Sequence, residues 1–334
     1  MKKLLVFALA ILVAGSLWAA GSQEDVRAAS ADSPITIKLG HVTSTVEPIG
    51  QAFEFYAKQV YERTDGRVII EVYPGGALGT NKEMYEQARV GASVIANVDP
   101  GYLSDYVADI GVVNGPYLVK TPEEYNKILE TDWYKGIEDS LYEQGFKVLT
   151  LNMYFGPRNI IADKPIRTPA DLVGVDIRTP PNVMWIETFK ALGANPVNLA
   201  WSEVYSGLAQ GVVDAAEAPL GSLWGSKLYE SKKVISMTGH FKAFVGMAMG
   251  RKYWETLPED VQKILLEEAK NAGDKLTELT LGSIEEYKDK FREQGCTIIE
   301  DVDLKAFQEK TKSVYEAFPN WTPGLYDTIQ GFLR

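Results

Sequence analysis

Two arginines, Arg158 and Arg178, carry the clearest chemistry in the chain, and each stands beside a segment with strand character and a following loop. Arg178 closes Val175-Asp176-Ile177-Arg178, and Thr179-Pro180-Pro181 comes directly after. Consecutive prolines lack the N–H that helix and ladder both need, so the strand must stop there. A strand that ends on an arginine and opens into a stiff loop aims its guanidinium past the sheet edge. Open α/β sheets bind ligands there, beyond the carboxyl ends of their strands. The planar guanidinium fork matches a carboxylate better than the point charge of a lysine does. The stretch from Met153 to Phe241 therefore reads as a clamp for an organic acid. Two plainer uses of these charges stay open: Arg178 paired with Asp171 or Asp176, and Arg158 paired with Asp163.

Other chemistry is sparse. The only histidines, His41 and His240, lie far apart and neither has metal-ligand spacing around it. There is no HExxH, CxxC pair, P-loop, GxGxxG or GxSxG elbow. Gly75-Gly76-Ala77-Leu78-Gly79 lacks the lysine of a phosphate loop and reads as a turn. An enzyme is disfavoured, although paired acids alone could still run acid/base chemistry. No cofactor and no metal are called for. A net charge of −11 argues against nucleic acid, which requires a basic surface. It also means that an anion must be caught by locally concentrated positive groups.

The elements needed to position these residues can be read in order. Residues 1–20 pair Lys2 and Lys3 with an apolar Leu4–Val13 run, the pattern of a secretory signal, and the run is too short to span a bilayer. Cleavage after Ala19 or Ala20 and a later site at Ala29-Ser30-Ala31 both fit, and an N-terminal anchor is the alternative reading. Cys296, the single cysteine, excludes an intramolecular disulfide and reads as a buried, inert thiol. Strands are expected at Ile35–Gly40, Arg67–Tyr73 and Ser93–Val98, with helices at Pro48–Arg63 and Lys82–Val90 between them. That β-α-β-α-β order predicts a parallel or mixed sheet. Separate strands at Lys147–Met153 and Asn159–Ala162 would flank an Arg158 loop. A helix over Trp201–Gln210, a long helix over Pro258–Gln294 and a last helix over Asp303–Phe318 complete the reading.

Residue patterns now bring in a family. Pro169-x-Asp171-Leu172-x-Gly174-x-x-Ile177-Arg178, Leu192-Gly193-Ala194-x-Pro196 and Glu203-Val204-Tyr205-x-x-Leu208-x-x-Gly211-Val212-Val213-Asp214 resemble the substrate-binding proteins of TRAP transporters, the DctP-like family. Thr64-x-Gly66-Arg67, Tyr73-Pro74-Gly75, Thr238-Gly239-His240 and Leu257-Pro258 are similar to it too, so the likeness runs from about Ile35 to Phe318. The resemblance implies a two-lobed α/β periplasmic-binding-protein-like fold with mixed sheets, strand hinges and a long lobe-spanning helix. Residues 32–155 with 244–283 would form one lobe, and 156–243 with 284–334 the other. It implies that Arg178 contacts a substrate carboxylate bidentately, with Arg158 as a second arginine. Asn81 and Asp99 would touch polar groups of the ligand, Trp201 would line the site, and Glu217 is a further candidate. Where many sugar-acid members read Glu-Asn-Pro, this chain has Glu217-Ala218-Pro219, and the missing amide hints at a less polar ligand. The implied role is periplasmic capture of an organic acid for a small and a large membrane permease subunit. Keto acid, dicarboxylate, aromatic acid and sugar acid all remain open as ligands. A ligand-presenting sensor protein and a lobed enzyme are the competing readings.

Overall fold

The structure, a computed structural model, describes residues 30–31 and 33–334. The expected signal segment lies outside the described residues. Ten strands follow in chain order: β1 (Ile35–Gly40), β2 (Val68–Tyr73), β3 (Val94–Val98), β4 (Phe146–Ala162), β5 (Asp176–Thr179), β6 (Asn195–Asn198), β7 (Ala216–Pro219), β8 (Val234–Ser236), β9 (Lys242–Gly250) and β10 (Thr297–Ile299).

The first lobe grows from the expected alternation of strand and helix. Ile37 and Leu39 of β1 are fully buried, and the helix Pro48–Arg63 lays Ile49, Phe53, Tyr56 and Val60 on the same core. Pro48 opens that helix at a position where the missing N–H has no helical partner to lose. β1 lies between β2 and β3, parallel to both, as the order of elements predicts. The helix Asn81–Val90 between β2 and β3 is capped by Thr80, whose side chain meets the Glu83 N–H while Glu83 reaches back to the Thr80 N–H. Gly91 ends it in the left-handed region, at φ 102°, where a Cβ would be strained.

β4 departs from expectation. Instead of two strands around a loop it is one strand of 17 residues, and Arg158 sits inside it. Its first part pairs antiparallel with β9, and Arg158–Ala162 pairs with β7 and β8. Register shifts against β9 and a left-handed Gly156 (φ 120°) let the strand bend past Pro157 without stopping. The sheet order is β10-β8-β4-β9-β3-β1-β2 with β7 also on β4, and β5 and β6 form a separate parallel pair. The result is a mixed sheet whose two halves belong to two lobes. In the second lobe Ile177, Trp185, Phe189 and Phe307 form one core, and Val204, Leu223, Ile235 and Phe291 another.

The long helix Glu259–Glu293 is 35 residues, about 52 Å at the usual rise. Val261, Leu265 and Ala269 serve the first lobe, and Tyr287 and Phe291 the second. Gly273 is required where the helix crosses β4, because a Cβ there would fall 1.8 Å from Asn152 Oδ1. Asn152 in turn donates to the Lys270 carbonyl (3.2 Å) and to Asp274 (3.0 Å).

The C-terminal segment also differs from expectation. The helix Leu304–Thr311 runs into a tight turn at Lys312–Glu316, and after Pro323-Gly324 a further helix forms at Leu325–Phe332. Leu325 and Ile329, four apart, need an apolar partner and find it in the core of the first lobe with Leu103 and Ile110. Trp321 Nε1 donates to the Ala108 carbonyl at 3.0 Å. The last helix, Leu325–Phe332, therefore packs on the core of the first lobe, while Tyr287, Phe291 and Phe307 pack in the cores of the second.

Candidate functional site

β5 ends where the prolines demand, and its register fixes Arg178. The Arg178 N–H bonds the Ala215 carbonyl (2.8 Å), tying β5 to the segment entering β7. Arg178 is 3% exposed and its Cζ lies 5.2 Å from the Trp201 ring centre. Its Nε and Nη2 both donate to the Leu199 carbonyl, at 3.0 and 2.8 Å. One edge of the fork is thus held by main chain, and the Nη1/Nη2 edge stays open for a bidentate acceptor. Asp171 is engaged with Thr168 and Arg167, and Asp176 with Asn195, so neither neutralises it. Burial, followed by the repulsion of Arg158, outweighs the attraction of Glu217 and Tyr102 and lowers its pKa to about 10, so it stays charged near neutrality.

Arg158 is treated differently. It is 7% exposed and its Nε reaches Glu217 Oε2 at 2.5 Å, while Nη2 reaches Oε1 at 2.7 Å and the Glu217 carbonyl at 3.0 Å. Only Nη1 has no protein partner. Trp185 lies 5.4 Å below the guanidinium and donates its Nε1–H to Glu217 Oε1 at 3.0 Å. His240 Nε2 meets Oε2 at 3.2 Å, and its Nδ1 meets the Thr238 hydroxyl at 2.7 Å. Burial alone would raise the Glu217 pKa; Arg158 first, then His240, reverse this and hold the carboxyl well below the usual range. Burial lowers the pKa of His240 more than Glu217 raises it, so the ring is neutral and donates from Nε2. Asp163, the alternative partner for Arg158, pairs instead with Lys232 (2.5 Å).

Both arginines line a cavity of about 400 Å³ between the lobes. Of the six residues singled out in the sequence, Arg158, Arg178, Asn81, Asp99 and Trp201 line it together. Glu217 does not; it is fully buried behind Arg158. Asp99 caps the short helix Pro100–Leu103, with Oδ1 accepting from the Gly101 N–H and Asn114 Nδ2, both at 2.7 Å. Its Oδ2 makes no hydrogen bond among the described residues. Burial, opposed by the Gly101 N–H and by Arg158, raises its pKa to about 6. Asn81 is not the helix cap, and its Oδ1 is buried without a partner. Trp201 opens a tight turn, Trp201–Glu203, held by the Glu203 carboxylate on the Ala200 N–H (3.0 Å).

Several lining residues were not anticipated. Asn182 caps the helix Val183–Ala191 through Oδ1, and its Nδ2 has no partner. It packs across the lobes on Gly101, where an added Cβ would lie 1.9 Å from that nitrogen. Asn after Pro-Pro is a helix-cap signal, and that was the available clue. Phe155, Trp185, Tyr102 and Ser222 also line the wall, and no local spacing announced them. Among the described residues no group of metal-ligating side chains is assembled, and no helix is long and apolar enough to cross a membrane.

The family described as bacterial extracellular solute-binding protein, family 7 (DctP), matches residues 39–320. The ectoine-binding periplasmic protein TeaA of Halomonas elongata is 32% identical over 282 residues, covering 81% of this chain and 80% of its own. A TRAP periplasmic solute-binding protein from Ochrobacterium anthropi, solved with bound L-fuconate, is 37% identical with a TM-score of 0.88, covering 90% of this chain and 100% of its own. Another, from Actinobacillus succinogenes 130z with bound L-galactonate, is 31% identical with a TM-score of 0.87, covering 89% and 99%.

Proposed function

The chain belongs to the DctP family of bacterial extracellular solute-binding proteins, and from that premise we propose that it captures a small organic acid in the interlobe cavity and delivers it to membrane permease subunits in the periplasm. One observation carries the reading: a buried arginine, Arg178, held by a carbonyl, has no counter-ion among the described residues and lines the interlobe cavity. A buried charge without a partner is costly, and an incoming carboxylate supplies what the protein omits. Arg158 adds one further donor group at Nη1.

The remaining wall favours a hydroxylated acid over the less polar one suggested by Ala218. Asp99 Oδ2, Asn81 Oδ1 and Asn182 Nδ2 have no protein partner, and hydroxyl groups complete such atoms where alkyl groups would strand them. The bound L-fuconate and L-galactonate of the two solved relatives are acids of that kind. Closure excludes water and strengthens every charge-assisted bond inside. The chain's part is capture; the energy for transport belongs to its partners.

A thermal-shift and calorimetric screen of L-fuconate, L-galactonate, ectoine and a dicarboxylate tests this. A ligand at one hundred times its dissociation constant stabilises by ~2.7 kcal/mol. Sugar acids should raise the melting temperature, and an Arg178→Ala protein that binds them as tightly as wild type would end the assignment. A sensor role predicts binding with no loss of uptake in cells lacking the gene.

A further inference from the structure

The turn between β1 and the first helix holds a carboxyl that the arginine site does not use. Glu47 is fully buried. Its Oε1 accepts the Ser44 N–H (2.8 Å) inside its own turn, and its Oε2 accepts the Ser222 hydroxyl (2.6 Å) from the helix Leu220–Gly225 of the second lobe. That helix presents a bare face to the turn. A Cβ on Gly225 would lie 2.6 Å from Glu47 Oε1, and one on Gly221 would lie 3.0 Å from Pro48 Cδ. The contact is therefore an interdigitated seam between the lobes.

Ser222 belongs to two spaces. It lines the ligand cavity, and it lines a void of about 20 Å³ shared with Glu47, Thr280 and Tyr287. A serine has a single hydroxyl hydrogen. While Glu47 is ionised that hydrogen is committed to the seam, and Ser222 meets a ligand only as an acceptor. A protonated Glu47 donates instead, and the Ser222 hydrogen is released toward the cavity.

We propose that Glu47 is a positioning residue which, through Ser222, fastens the two lobes and couples retention of the bound acid to a proton held at the seam. The coupling to ligand rests on the capture function proposed above; the seam itself does not. Among the described residues no charged group opposes the Glu47 carboxyl across the seam. Ser222 and the two glycines face it from their helix. From the long helix the facing titratable group is Tyr287, whose phenol is pushed up to about 12 by burial and then by Glu47, and stays neutral. Lys290 Nζ lies over the Tyr287 ring, 5.2 Å from its centre. Parting the lobes returns Glu47 to water, so its proton affinity is higher closed than open. Burial, stronger than the opposing bonds from Ser222 and Ser44, raises its pKa to about 7 from an ordinary 4.5. The closed form binds more protons, so closure is firmest below about pH 4.5, weakens as pH rises through about 7, and levels off above.

Hydrogen-exchange mass spectrometry on the ligand-free protein tests the seam. Wild type and Glu47→Gln are compared at each pH between about 5 and about 8, so that the intrinsic chemistry of exchange cancels, in the peptide spanning Leu220–Gly225. Glutamine preserves both hydrogen bonds and cannot titrate. Equal rates are expected at the acid end, with wild type about fivefold or more faster at the alkaline end. A ratio that stays at one throughout overturns the proposal, and so does a Ser222→Ala protein whose exchange in that peptide matches wild type at every pH. Because no ligand is present, this result stands apart from the ligand screen. Calorimetry with L-fuconate then reads the coupling: wild type should lose affinity from pH 5 to pH 8 by about tenfold more than Glu47→Gln does. Identical slopes in the two proteins would remove Glu47 from ligand retention and leave Asp99 as the titrating group.

Discussion

Arg158 and Arg178 are both buried, both lie against an indole and both line one cavity, yet they are compensated in opposite ways. Arg158 surrenders its Nε/Nη2 edge to Glu217 and becomes a brace between β4 and β7. Arg178 surrenders the same edge to a neutral carbonyl, which orients the group and leaves its charge intact. The difference teaches that burial and residue type do not identify a ligand-binding arginine. On the function proposed above, Arg178 is singled out by an uncompensated charge with a free edge.

Removing Glu217 should have the largest effect. Glu217→Gln leaves Arg158 buried without its anion, and a loss of ~3–5 kcal/mol in unfolding free energy is expected from urea denaturation. The pH dependence follows the depressed pKa of Glu217. Its contribution is present above the unfolded value near 4.5 and is lost as pH falls toward the folded value. The Glu217→Gln protein should lack that part of the acid slope, and an unchanged slope would break the contrast.

Arg178→Met comes next and should invert the pattern. Without ligand its stability should be unchanged or higher, because an unpaired buried charge has been replaced by an apolar chain. Affinity for L-fuconate should fall by ~2–5 kcal/mol, roughly 30- to several-thousandfold, in calorimetric titration. The smallest effects separate the two indoles. Trp201→Leu should weaken binding by ~1 kcal/mol with little loss of stability, whereas Trp185→Leu should register mainly in the melting temperature, since Trp185 also donates to Glu217.

Much of this was legible from local chemistry. A strand stopped by Thr179-Pro180-Pro181 put Arg178 at a sheet end, and helical spacing alone marked Pro48–Arg63 and the long helix within a residue or so. What escaped depended on contacts between distant segments. Glu217 meets Arg158 only because β4 and β7 pair in a register with Arg158 opposite Pro219, which no local pattern encodes. The expected Arg158 loop does not form, because Gly156 and the bulges against β9 carry β4 through it. Gly273 and Gly282 both lie within the long helix. The first is forced by Asn152, while the second faces open space.

β4 and β9 run side by side through the boundary, and the long helix is pinned to β4 there by Asn152. Two bodies strapped by adjacent ribbons and a stiff rod can swing like a door but can neither slide nor spin freely. Engulfment of a solute is then confined to a single arc, and every mouth residue, from Asn182 to Gly101, has only one partner to land on.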